Sequence, residues 1–135
     1  MRSIVVDAGP LIALFRKRDR HHSRVKDFLA AADVRLVSTV PVLTEVCHFL
    51  NARGKLALLT WVRRSGLSLY PITSEDLAEI ESIIEKYADR DIDFADATLV
   101  WLAGLTNTTE IMTIDRADFE IYRLANGRRF TVLPA

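Results

Sequence analysis

At 135 residues, half of them hydrophobic and 27% charged, the chain has the size and composition of one compact globular domain, which excludes the disordered and fibrous classes. Eighteen basic side chains against eighteen acidic ones leave no net charge, so any attraction for phosphate has to be local and the strongly basic nucleic-acid binders are excluded. A lone cysteine, Cys47, excludes an internal disulfide; with no apolar run near ~18 residues and no signal-like start, the expectation is a single cytoplasmic domain over residues 1–135.

Ile4-Val5-Val6 is a β-branched run that ends at Asp7, and Ala8-Gly9-Pro10-Leu11 reads as a turn with proline near a helix start. After the charged stretch Arg16 to Arg24, residues Val25, Phe28, Leu29 and Ala32 recur at helical spacing. Leu36-Val37 is the second strand. Ser38-Thr39 ahead of Pro41 signals a helix with the apolar stripe Val42, Val46, Phe49 and Leu50, which Gly54 is expected to stop. Leu56 to Val62 is another helix, and Leu67 to Tyr70 a third strand. Thr73 and Asp76 have capping-box spacing ahead of a helix lined by Leu77, Ile80, Ile84 and Tyr87. Phe94 to Leu105 is apolar nearly all round, which assigns it to the interior. Ile111 to Ile114 is the fourth strand and Phe130 to Leu133 the fifth. Short continuous apolar strands alternating with helices predict an α/β fold with a parallel sheet of about five strands covered on both faces.

In such a sheet, ligands bind beyond the carboxyl ends of the strands, and the polar residues that follow these strands are acidic. Asp7 follows the first strand, and Thr113 and Asp115 close the fourth. Glu45 lies a turn into the helix after the second, and Asp96 enters the buried helix. Together they would face one crevice. Like charges 4 Å apart repel by about 4 kcal/mol at an effective dielectric near 20, so the cluster needs a cation or bound protons. Oxygen donors without histidine or cysteine suit a hard divalent ion such as Mg²⁺ or Mn²⁺.

Each acid also has a structural reading. Asp7 suits a helix cap, Glu45 an exposed helical charge, and Asp93 an N-cap three residues before Asp96; Asp115 and Asp118 suit caps of a short helix. Asp96 resists that reading most, because no other ionisable residue follows before Glu110. An EF-hand loop at Asp89 fails, since Phe94 and Val100 stand where glycine and glutamate are required. His21, His22 and His48 lack metal-ligand spacing, and Cys47 reads as a small buried hydrophobe. Arg16, Lys17, Arg18 and Arg20 form the densest basic cluster and the first candidates for nucleic-acid contact.

Four segments carry a resemblance along the whole chain: Ile4-Val5-Val6-Asp7-Ala8-Gly9-Pro10-Leu11, Leu43-Thr44-Glu45-Val46, Asp93-Phe94-Ala95-Asp96-Ala97, and Thr113-Ile114-Asp115-Arg116-Ala117-Asp118-Phe119. In that order they resemble the PIN-domain ribonucleases, and among them the VapC-type toxins of toxin–antitoxin pairs. The resemblance implies a Rossmann-like sheet and a Mg²⁺- or Mn²⁺-dependent endoribonuclease that leaves 5′-phosphate and 3′-hydroxyl ends. It implies Asp7, Glu45, Asp96 and Asp115 as metal-binding catalytic acids, with Asp93, Thr113 and Asp118 in support. A homodimer and a small antitoxin partner are implied as well. Gly9 departs from the pattern, which often has a hydroxyl residue there.

Three competing readings lack a residue or an observation. A haloacid-dehalogenase-type phosphatase needs an aspartate where Gly9 stands. A receiver-like binding module needs paired acids in the first turn and a lysine after a late strand, where this chain has Arg116. An interaction or regulatory protein with a vestigial site would not need all four acids.

Overall fold

The computed structural model describes residues 1–134. Five parallel strands, β1 (Arg2–Val6), β2 (Val34–Ser38), β3 (Ser68–Leu69), β4 (Glu110–Met112) and β5 (Thr131–Leu133), form one sheet in the order β3-β2-β1-β4-β5. The register pairs Val5 with Val37 on one side and with Ile111 on the other. Successive strand side chains point to opposite faces, and Ile4, Val5 and Val6 are all fully buried, so both faces of β1 are covered, as expected for a parallel sheet.

The helices are α1 (Ala8–Phe15), α2 (His22–Ala31), α3 (Val40–His48), α4 (Ala52–Arg63), α5 (Leu77–Lys86), α6 (Phe94–Thr106) and α7 (Arg116–Ile121). α1 packs on α2, α3 and α4, while α6 packs on α3, α5 and β1. No helix among the described residues is long and apolar enough to cross a membrane.

The segment 8–11 is helix rather than turn, because a proline in the first turn forfeits only an N–H that has no intrahelical partner. Gly54 does not stop a helix. α3 has already ended, and Asn51 starts α4 by accepting the Gly54 N–H at 2.9 Å, so glycine sits in the first turn, where its helical cost is small. The expected box at Thr73 and Asp76 forms, on a 3₁₀ turn that leads into α5. α6 is buried from Ala97 to Ala103, as its all-round apolar sequence predicts, but Phe94 and Leu105 at its ends face solvent.

Gly66, between α4 and β3, lies against the indole of Trp61, and a Cβ there would collide with its five-membered ring. That indole is itself packed on Phe15, with ring centroids 5.4 Å apart, so it has little room to retreat. Gly66→Ala is expected to destabilise the fold by about 1–3 kcal/mol, as overpacking does. The midpoint of urea unfolding measures it, and an unchanged midpoint would show that the indole moves freely.

Candidate active site

Because every strand runs the same way, the carboxyl ends of β1, β2 and β4 share one edge of the sheet. Asp7 follows β1 as the N-cap of α1. Its Oδ1 accepts the Ala8 N–H at 2.8 Å, and its Oδ2 accepts the Thr113 hydroxyl, also at 2.8 Å. Thr113 Oγ1 in turn accepts the Asp115 N–H at 3.1 Å, so this one hydroxyl ties the ends of β1 and β4 together. Ser38 performs the matching task at β2 by donating to the Val6 carbonyl at 2.8 Å. Thr39 begins α3 without capping it. Its hydroxyl meets that of Thr98 at 2.8 Å while Thr98 donates to the Ala95 carbonyl, which pins α3 to α6 behind the site.

Asp91 has left-handed backbone (φ 50°), a conformation that aspartate tolerates better than most residues, and it turns the chain into α6. Asp93 then caps α6, accepting the Asp96 N–H at 3.2 Å. The Asp96 carboxylate itself accepts no hydrogen bond from any described residue. Of the cap readings, the structure thus places the hydrogen bond on Asp93 and leaves the Asp96 side chain open to the cleft. Asp115 stands at the N-cap position of α7 without a side-chain cap bond, and Asp118 in the first turn pairs with Arg90 at 3.2 Å.

These segments enclose a cleft of about 400 Å³ lined by Asp7, Glu45, Asp91, Asp93, Asp96, Asp115 and Asp118, with Arg90 the only cation among its described lining residues. Asp7 is only 9% exposed, and Glu45 is half-buried rather than a free surface charge. Crowded carboxylates away from bulk water favour their neutral forms. Burial, and then repulsion from Asp7 and Asp93, pushes the Asp96 carboxyl up to about 8. Burial also raises Asp7, against the opposing hydrogen bonds from Ala8 and Thr113. Glu45 is raised by burial and then by Asp93 and Asp7, partly offset by His48. Asp115 is raised by what burial it has and then by Asp118.

All of Asp7, Glu45, Asp93, Asp96, Asp115 and Asp118 line this one cleft, and Thr113 bonds to it from behind. The basic residues Arg16, Lys17, Arg18 and Arg20 do not line it. Sequence reasoning did not single out Arg90, Asp91 or Tyr122. Tyr122 is 2% exposed, its ring packed edge-on against Tyr87 and Phe119, and burial followed by repulsion from Asp96 raises its phenol. Only the α5–α6 turn could have marked Arg90 and Asp91, and the aromatic spacing of Phe119 and Tyr122 reads as core.

The donor set is all oxygen and negatively charged, which suits a hard divalent cation; among the described residues, no histidine or cysteine lines the cleft. Among the described residues, no three such side chains stand close enough to enclose an ion by themselves. The fit is to an ion of the Mg²⁺ type, which takes one or two carboxylates and keeps waters and phosphate oxygens for the remaining positions. Gly9 also lines the cleft. A Cβ there would press on the Ile114 side chain at 3.3 Å, so the hydroxyl that the family pattern often has at this place would need Ile114 to give way.

Residues 4–126 match the PIN domain family. Ribonuclease VapC26 of Mycobacterium tuberculosis is 32% identical over 135 residues, covering 97% of this chain and 100% of that protein. Three solved structures share the fold at lower identity. VapC20 of Mycobacterium tuberculosis, described as a Sarcin-Ricin loop cleaving toxin, has a TM-score of 0.71 at 21% identity, over 80% of this chain and 86% of that one. VapBC2 from Rickettsia felis, bound to a DNA fragment from its promoter, has a TM-score of 0.67 at 12% identity, over 98% and 99%. FitAcB from Neisseria gonorrhoeae has a TM-score of 0.57 at 20% identity, over 95% and 96%.

Proposed function

Since the chain belongs to the PIN domain family, we propose that it is a metal-dependent endoribonuclease that hydrolyses RNA phosphodiester bonds in the carboxylate cleft, as the toxin of a toxin–antitoxin pair. The observation that carries this reading is the meeting of Asp7, Glu45, Asp96 and Asp115, from four separate segments, in one cleft at the carboxyl edge of the sheet.

Asp7, Glu45, Asp96 and Asp115 would together hold Mg²⁺ or Mn²⁺, one or two of them as direct ligands and the others through the ion's waters, with Asp93, Asp118 and Thr113 in support. When bound, the ion supplies Lewis-acid stabilisation of charge on the phosphate oxygens and a water of lowered pKa. The remaining work belongs to the chain. The Ala8 N–H and the Thr113 hydroxyl fix the plane of the Asp7 carboxylate, one on each oxygen. The Asp93 cap sets the first turn of α6 and with it the position of Asp96. Arg90, held by Asp118, offers the cleft a guanidinium to offset the charge of a phosphate. In-line attack by water would leave 5′-phosphate and 3′-hydroxyl ends.

Incubation with single-stranded RNA and Mg²⁺ or Mn²⁺ tests this directly. Cleavage is expected to stop on addition of chelator and to return when metal is restored. Cleavage that continues undiminished in chelator overturns the reading.

The likeness to VapC26 and VapBC2 supports an antitoxin protein as partner, and an RNA substrate together with a lone free thiol supports a cytoplasmic setting. Self-association is also proposed, since α3 and α4 expose Val40, Leu56 and Leu59 at 53%, 67% and 48%. Sedimentation at micromolar concentrations is expected to show a dimer; a monomer that persists throughout the range removes it.

A further inference from the structure

A second and larger cleft, of about 810 Å³, opens between the end of α1, the start of α2 and the start of α4. Its lining includes Arg16, Lys17, Arg18 and Arg53 and, among the described residues, no acidic one. None of these four cations makes a side-chain hydrogen bond or salt bridge with a described residue. The charge on this molecule is therefore sorted: among the described residues, a chain of zero net charge places seven acids and one arginine around one cleft and four cations without an ion-pair partner around its neighbour. The two clefts share one lining side chain, Phe49, which stands at the end of α3 and is 54% exposed.

The loop that carries three of the cations is ordered. Asp19 N–H donates to the Arg16 carbonyl at 2.9 Å, Asp19 Oδ1 accepts the His21 N–H at 2.8 Å, and His22 Nδ1 contacts the Ala13 carbonyl at 2.7 Å. The N-termini of α2 and α4 meet at the same cleft and add their partial positive charge. Arg20 lies outside the lining, and Arg53, 33 residues further along the chain, takes its place.

Seven carboxylates around the catalytic cleft repel a polyanion, and beyond the one phosphate that Arg90 and a bound ion could offset there, the flanking phosphates need cations beside the cleft. We propose that this basic cleft is the track for single-stranded RNA flanking the scissile phosphate. Arg16, Lys17, Arg18 and Arg53 contact successive phosphates, and Phe49 stacks on a base where the strand passes into the acidic cleft. Stacking needs an unpaired base, so the strand bound here is single or looped rather than duplex. The assignment rests on the nuclease reading for its substrate but is tested by binding alone.

The test measures anisotropy of a labelled single-stranded oligoribonucleotide in chelator, across a salt series, with a duplex of the same sequence for comparison. The wild type is expected to bind the single strand more tightly. The double variant Arg18→Ala, Arg53→Ala should weaken Kd about 10-fold or more and make the salt dependence shallower by about 1.4, which is ~0.7 for each lost phosphate contact. Phe49→Ala should weaken Kd about 5-fold, the size of one stacked base, with the salt slope unchanged. All three side chains are exposed, so melting temperatures should hold. In cleavage assays the same variants should raise KM with little change in kcat. The pair Arg128→Ala, Arg129→Ala, which removes the same charge elsewhere on the surface, should do none of this.

Unchanged Kd and salt slope in the double variant, or equal losses in the control pair, overturn the proposal and leave the cleft to a protein partner. RNA that binds in this variant-sensitive way but is not cut with metal upholds the track while removing the nuclease reading.

Discussion

Asp96→Asn is expected to lower RNA cleavage by about 100-fold or more, while the metal-free protein stays as stable as the wild type near pH 6 and becomes the more stable of the two near pH 9. The loss of activity follows from removing one of the four acids proposed to hold the ion; even groups one step removed from a metal cost about 10–100-fold. The stability pattern follows from its environment. The Asp96 carboxylate makes no hydrogen bond with a described residue, so the amide forfeits none of those. Below about pH 8 the carboxyl is mostly protonated, and an amide of the same shape replaces a neutral acid. Above that pH the wild type has another negative charge in a cleft already lined by acids, and the variant does not. Saturating metal, which at one hundred times its Kd adds about 2.7 kcal/mol, should stabilise the wild type clearly more than the variant. A residue serving only as a cap would behave otherwise, losing about 1 kcal/mol on substitution and keeping its metal response. Melts at both pH values, with chelator and across a metal titration, separate the two. A variant that melts lower in chelator, shifts normally with metal and still cuts RNA would remove Asp96 from the site.

The second large effect is a reversal of the pH dependence of stability by metal. Asp7, Glu45, Asp96 and Asp115 all have folded-state pKa values raised above those of the unfolded chain, Asp96 to about 8. Between about pH 4 and pH 8 the metal-free native state thus holds more protons than the unfolded state. Their stabilising contribution is fully present below the unfolded pKa near 4 and is lost as pH rises through the folded values. The melting temperature of the metal-free protein should accordingly fall from about pH 5 to about pH 9. The slope is at most about 1.4 kcal/mol per pH unit for each extra proton, and smaller here because the cleft is open to screening water. Metal requires the ionised carboxylates, so its apparent affinity should tighten up to about tenfold per pH unit below pH 8 for each proton displaced. Calorimetric melts across that range, in chelator and in Mg²⁺ or Mn²⁺, read both. A metal-free melting temperature that rises or stays level with pH would show that the cluster holds no extra protons.

The order of strands and helices was written plainly in the sequence, because side-chain periodicity records which faces of an element are buried. Ile4-Val5-Val6 and the apolar run of α6 are interior, and all five strands appear where apolar runs predict them. The acids were legible for a related reason: in a parallel sheet the residue after each strand is carried to one edge whatever the loops do. Asp7 and Asp115 are legible in that way, Glu45 by its place early in the helix after β2 and Asp96 by its place in an otherwise uncharged helix, and the cleft receives all four. Local backbone choices were less legible. The break between α3 and α4 depends on Asn51 reaching the Gly54 N–H, and a glycine three residues from a capping asparagine reads equally well as an ending or a beginning.

What the tertiary structure alone decided is who stands beside whom across distance in the chain. Thr113 bonds to Asp7 over 106 residues, Arg90 pairs with Asp118 over 28, and Arg53 joins Arg16, Lys17 and Arg18 in a basic cleft that leaves Arg20 aside. The raised carboxyl groups belong to the same class, since a pKa depends on burial and on the distance to neighbouring charge, neither of which a residue carries with it. The physical reason is one of range. Propensity, capping and periodicity act over a few residues and are encoded in the sequence locally, whereas the lateral neighbours of a strand end or a helix terminus are set by how the whole sheet and its covering helices pack.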